Sequence, residues 1–197
     1  MGSTFIVVLA WLVVLALWGA AVYNRLRLLR NRVENAWSQI DVQLKRRHDL
    51  IPNLVEVARG YMQHEASTLE AVARARSQAV QASEALRGHT GQAQALGALA
   101  AAEQALGSSL GRLMVVAEAY PELKADAQMQ SLSEEIASTE NRIGFARQAY
   151  NDEVMAFNNK ASQFPDLIWA RLLGFAHMDM LQSTMNEQER QAPSVRF

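Results

Sequence analysis

The sequence predicts an all-α protein: an N-terminal transmembrane helix followed by an antiparallel four-helix bundle of long helices. Three observations carry that reading. Residues Phe5–Val22 are eighteen uncharged, almost wholly apolar residues. Beyond them, apolar residues recur at spacings of three and four, with no sustained period-2 alternation. Only four prolines, at 52, 121, 165 and 193, punctuate the 197-residue chain.

The apolar run comes first. At 1.5 Å per residue it covers about 27 Å, most of a bilayer's hydrocarbon core. Eleven of its residues are Leu, Ile, Val or Phe, which favour insertion by roughly 3–7 kcal/mol with no charge to offset them. Trp18 and Tyr23 stand where an interfacial belt is expected, while Trp11, near the middle, needs a helix or lipid neighbour. A cleaved signal peptide is the competing reading, with Gly19-Ala20-Ala21 as its small-residue site. Met1–Thr4 carries no basic side chain, however, and the run exceeds the usual apolar length of such peptides, so an uncleaved anchor is expected. Arg25, Arg27, Arg30 and Arg32 follow at once, which orients the remainder to the cytoplasm and the N-terminus outside.

Four apolar stripes follow. They run from Leu26 through Val33 and Trp37 to Leu44, from Leu50 through Leu54 to Val72, from Leu96 through Leu106 to Tyr120, and from Leu132 through Ile143 to Phe157. Asp49 ahead of Pro52 suggests a restart or kink after a first helix ending at Arg46-Arg47-His48-Asp49. Gly88-His89-Thr90-Gly91 reads as a loop, Tyr120-Pro121 as the end of the third helix, and Asp126 as a cap for the fourth. Such stripes can be buried only against one another, in helices of up to about 35 residues, or about 50 Å. Pro165–Phe175 then concentrates Leu167, Ile168, Trp169, Leu172, Leu173 and Phe175 in a segment too short to span a bilayer. It could cap the bundle, lie in the membrane interface or contact another subunit. The expected organisation is an anchor over 1–23, a bundle domain over 24–175 and a polar tail over 176–197.

Composition narrows the function. A net charge of −1 gives no electrostatic case for nucleic acid. Seven basic residues against three acidic ones between Asn24 and Leu50 suit either a solvated helix face or anionic headgroups. The absence of cysteine excludes disulfides, thiolate catalysis and Cys-ligated metal. His64-Glu65 lacks the second histidine that a zinc helix needs, because position 68 is Thr. There is no Gly-Lys-Ser/Thr phosphate loop, and Gly107-Ser108-Ser109-Leu110-Gly111, which has the Gly-x-Ser-x-Gly spacing, lies within a helical stripe and not on a strand-to-helix elbow. No catalytic, cofactor or metal site and no small-molecule substrate is therefore expected.

What stands out instead is polar residues beside the stripes. Asn31, Asn35 and Ser38 share a face adjoining Trp37; Arg47 and Asn53 flank the Pro52 region; Glu140-Asn141 and Tyr150-Asn151 lie beside the last stripe. Buried, they would fix register through satisfied hydrogen bonds, with Asn35, Arg47, Glu140 and Asn141 as the candidate set. Exposed together, they would line a partner-docking groove.

The run Arg30-Asn31-Arg32-Val33-Glu34-Asn35-Ala36-Trp37-Ser38-Gln39-Ile40-Asp41, leading through Arg46-Arg47-His48-Asp49-Leu50-Ile51-Pro52-Asn53-Leu54-Val55, resembles the signature of the bacterial LemA family. Tyr61 with His64-Glu65, Ala117-Glu118-Ala119-Tyr120-Pro121-Glu122-Leu123-Lys124, Thr139-Glu140-Asn141-Arg142-Ile143, Tyr150-Asn151, Phe164-Pro165 and Gly174-Phe175 extend the resemblance from about Tyr23 to Phe175. It departs only by acidic variation around Tyr120-Pro121 and in the C-terminal tail. The resemblance implies a single-span protein of the bacterial inner membrane with a cytoplasmic four-helix bundle and no established enzymatic activity. It also implies a possible link to a membrane zinc metalloprotease, near which many members are encoded. The expected function is a non-catalytic scaffold or adaptor, self-assembling into a homo-oligomer, with an accessory subunit of membrane proteolysis as the alternative. Trp169 and Leu172 are the expected self-association residues.

Overall fold

The computed structural model describes residues 2–87 and 91–181. Within them the protein is helical, with no strand: α1 (Gly2–Tyr61), α2 (Ala66–Leu86), α3 (Ala93–Ala117), α4 (Pro121–Ala125), α5 (Ala127–Ser162) and α6 (Asp166–Leu172). Most of the loop expected at Gly88–Gly91, and the tail beyond Leu181, lie outside the described residues.

α1 corrects the expected first boundary. The anchor, the first stripe and the start of the second form one 60-residue helix, about 90 Å long, running straight through Pro52. Proline has no N–H to give the carbonyl four residues earlier, so the His48 carbonyl loses its helical partner. Arg76 of α2 replaces it, its Nε donating to His48 O at 2.6 Å. The helix breaks instead at Met62–Glu65, after Gly60-Tyr61, with Met62 buried in the turn.

From Phe5 to Leu17 the side chains of α1 are exposed on every side, Trp11 included. An apolar helix with no protein around it calls for an apolar solvent, and α1 is long and apolar enough to cross a membrane. This segment has the length, composition and exposure of a membrane anchor.

Beyond the anchor, α5 runs antiparallel along α1, from Tyr61 beside Asp126 to Trp37 beside Tyr150. α2 returns antiparallel on α1, and α3 packs on α2. The α2–α3 hairpin descends only to the level of Asp41 and Trp37, where Arg87 meets Asp41. Two regions result. A head surrounds α1 from about residue 45 to 61 with α2, α3 and the first part of α5. A neck below it pairs residues 22–44 of α1 with the last part of α5, and the ends of the hairpin reach its top through Leu86, Leu96 and Leu99. The short α4 opens with Pro121 at its first turn, where a missing N–H is harmless. Asp126 caps α5, as expected, accepting from Gln128 N and Met129 N at 2.8 and 2.9 Å.

The neck is completed by a segment expected to be tail. Residues 176–181 run back along α5 and bury Leu181. Asn158 grips Met178, donating to its carbonyl at 2.8 Å and accepting from its N–H at 3.0 Å. Asn151 does the same for Leu181, at 2.8 Å in each direction. Seven helical residues rise about 10.5 Å, and three extended residues span about 10 Å. The two amides therefore match this strap in register. Asp179 N donates to Gly91 O at 3.0 Å and its carboxylate accepts from Ala93 N at 3.1 Å, tying the strap to the start of α3.

Candidate functional site

Between the cores of neck and head lies a layer of buried charge. Leu44 and Ile51 continue the apolar stripe of α1, and one turn between them is given to Arg47 and His48. Neighbouring helical positions diverge by about 100°, yet both side chains are buried, because α1 is covered here on several sides. They converge on Glu103 of α3, only 3 % exposed. Arg47 Nη1 donates to Glu103 Oε2 at 3.0 Å, and His48 Nε2 lies 2.7 Å from Oε1. With an always-cationic guanidinium beside it, the carboxylate acts as acceptor and Nε2 as donor. Arg47 Nη1 also pairs with Glu140 of α5 at 2.6 Å. One guanidinium thus joins α1, α3 and α5. Removing one partner from such a set would strand a buried charge.

α3 and α5 are not packed side by side along their length. Between them runs a groove of about 570 Å³, with Arg47, Glu103 and Glu140 at its floor. Gly107, Ser108 and Gly111 line the α3 wall, and Ser133, Ile136 and Ala137 the α5 wall. A Cβ on Gly107 would reach the Arg47 guanidinium at 3.8 Å, whereas one on Gly111 would meet open space. Arg47 Nε is buried without a hydrogen-bond partner among the described residues. The groove is small-residue-walled and mainly apolar, with a charged floor already engaged in internal pairs.

The other expected residues divide. Trp37 and Tyr150 meet edge-to-face in the core, centroids 6.1 Å apart. Burial pushes the Tyr150 phenol up to about 12, and its hydroxyl points to Asp179 O. Asn151 holds the strap. Glu65 is half-buried ahead of α2, where its carbonyl, not its carboxylate, receives the Thr68 and Leu69 N–H groups. Trp169 packs on α1, while Leu172 is exposed. Asn31, Asn35, Asn53 and Asn141 are exposed, which corrects the expected buried set: only Arg47 and Glu140 of the four meet. Asn31, Asn35 and Asn141 stand two positions from the nearest stripe residues, about 200° of rotation away and so opposite the stripe, and Asn53 stands one position off. His48, Glu103, Arg76 and Asn158 were missed. Glu103 had a visible signal, since it occupies the stripe position between Leu99 and Leu106.

At the far end of the head, Tyr61 donates to Asp126 Oδ2 at 3.1 Å. The Met129 N–H, with help from the Tyr61 hydroxyl, holds the Asp126 carboxyl below its ordinary value. The same hydrogen bond and the adjacent negative charge raise Tyr61.

A sequence model of the LemA family matches residues 36–197. Among curated proteins, the magnetosome proteins MamQ 1 and MamQ 2 of Paramagnetospirillum magneticum are each 26 % identical over 175 residues, covering 81 % of this chain and 64 % of theirs. The magnetosome protein MamQ of Magnetospirillum gryphiswaldense is 24 % identical over 172 residues, covering 80 % and 63 %. This chain therefore spans less than two thirds of the length of these relatives.

Proposed function

The chain belongs to the LemA family, and from that premise we propose that it is a non-catalytic, membrane-anchored scaffold or adaptor of the bacterial inner membrane. The observation that carries this reading is α1. One unbroken helix is both the anchor and the central member of the head, so the head stands on the bilayer without a flexible linker. We read the head as an antiparallel four-helix bundle of α1, α2, α3 and α5, left open where α3 and α5 part. The groove there is the docking face. Its floor supports a structural role for the charges, since Arg47, His48, Glu103 and Glu140 are engaged with one another.

The arginines after Val22 support a cytoplasmic head. Confinement to two dimensions raises the effective concentration of copies, which favours self-assembly.

The test is purification of the intact chain in mild detergent, followed by native mass and identification of what copurifies. The proposal expects a multiple of the 21.9 kDa chain, or a stoichiometric partner. Gly111→Phe, filling the groove where space is open, should abolish that association with helical content unchanged. A monomer without partners, across detergents and in nanodiscs, overturns the scaffold reading. A stoichiometric zinc metalloprotease would establish the accessory-subunit alternative instead. A reporter fused after Phe197 that is active only outside the cytoplasm overturns the orientation.

A further inference from the structure

We infer that α6, with Phe164 just ahead of it, is seated in the interfacial layer of the bilayer, so that the protein touches lipid through a second element besides its span. This rests on the anchor reading of Phe5–Val22. The indole of Trp169 lies on Gly19, where an added Cβ would stand 3.0 Å from its ring, and meets Trp18 edge-to-face at 6.1 Å. Ala170 is buried in the same core cluster as Val22 and Leu26. α6 is therefore level with the last turn of the apolar run, about 5 Å inside its end at Val22. A bilayer covering that run reaches α6 as well.

The face of α6 turned away from α1 suits that medium. Phe164, Ile168 and Leu172, spaced four apart, are 77, 57 and 74 % exposed, and Leu173 beside them is also exposed. Of the two charged residues of α6, Asp166 is buried and paired with Lys160 of α5, and Arg171 is exposed, as suits a long cationic side chain at headgroup level. Two aromatic pairs, Trp18 with Trp169 and Tyr23 with Phe175, stand at the junction, and Trp and Tyr are the side chains favoured at the headgroup level. A second copy of the chain is the rival occupant. In water an apolar patch would favour it, but a patch already in contact with lipid gains no hydrophobic free energy by moving against protein. Lipid is the occupant that the position favours.

The chain has no cysteine, so an environment-sensitive NBD label can be placed at one site at a time. Full-length Leu172→Cys and Ile168→Cys report on α6, Val14→Cys on the span, and the exposed Phe145→Cys on the aqueous region beyond the span. The proteins are reconstituted in vesicles of phosphatidylethanolamine and phosphatidylglycerol carrying doxyl quenchers at shallow or deep acyl positions. The expected result is blue-shifted emission at 168 and 172 with quenching by the shallow doxyl, deep quenching at 14, and neither at 145. Quenching at 14 with water-like emission at 172 overturns the inference and leaves the anchor standing. Blue-shifted emission at 172 without quenching, with energy transfer between labelled copies that grows with protein density, assigns the face to a second copy and likewise overturns it. No quenching at 14 overturns the anchor reading, and this inference with it.

Discussion

Neck and head solve the same packing problem with different materials. The neck has two principal helices, and it fills the space beside them with large rings: Trp37, Tyr150 and Phe157 are buried, with Trp18, Trp169 and Phe175 packed against them. The head surrounds α1 with three helices and buries no aromatic ring, using Leu, Ile, Val, Met and four alanines (Ala58, Ala75, Ala79 and Ala117). Few helices need bulky side chains and a strap to make a core; many helices need small ones to approach closely. The polar devices differ too. The head ties its helices through a buried salt bridge, Arg47 with Glu103, and the neck holds its strap through neutral amides, Asn151 and Asn158.

The contrast is broken most severely at the charge layer. Glu103→Ala should destabilise the full chain by about 3–5 kcal/mol, because Arg47 and His48 lose their shared buried acceptor. Arg47→Met with Glu103→Met should cost much less than either single change. Denaturant unfolding in micelles measures the totals, and hydrogen exchange should place the loosening in α2 and α3 with the neck still protected. A double variant as damaged as the single ones would mean that the charges contribute net stability and not register alone.

Asn158→Ala should cost about 1–3 kcal/mol by leaving the Met178 N–H and carbonyl without their partners. Its exchange signature should be confined to the strap and the last turns of α5. Loss of protection in α3 beyond its first turn would join the two regions into one cooperative unit.

Alkaline pH should also discriminate. Burial raises the Tyr150 phenol from 10.0 to about 12 in the folded chain. Its contribution is intact below pH 10 and is lost as pH rises through about 12, since the unfolded chain gives up that proton first. Tyr61 is shifted in the same direction at the far end of the head. Tyr150→Phe should flatten the stability loss of the neck between those pH values, read by unfolding at fixed pH. An unchanged pH profile would mean that the phenol is not the group concerned. The smallest effect belongs to Asn141→Ala, an exposed site, which should stay within about 0.5 kcal/mol of the parent.

The stripes of both regions were legible because helical burial repeats, and Val33, Trp37, Ile40 and Leu44 all lie in the core as their spacing requires. Arg47 was legible as unusual, and Glu103 could have been, as a carboxylate in a leucine row. Whether a polar residue beside a stripe turns inward was not legible. Asn141 and Asn158 are the same residue type on the same helix, but Asn141 is exposed, while Asn158, next to Phe157, is buried by a strap with no periodicity of its own. The continuity of α1 through Pro52 was hidden for a related reason: the group that answers the orphaned carbonyl belongs to Arg76, on another helix.

That continuity makes the protein a lever. From Tyr23 to Tyr61, α1 extends about 57 Å beyond its span. A helix crossing a thinner bilayer tilts to keep its apolar length covered. With no joint at the surface, a tilt of about 10° would sweep the tip of the head sideways by about 10 Å. Bilayer thickness would then set where the far end of this molecule stands.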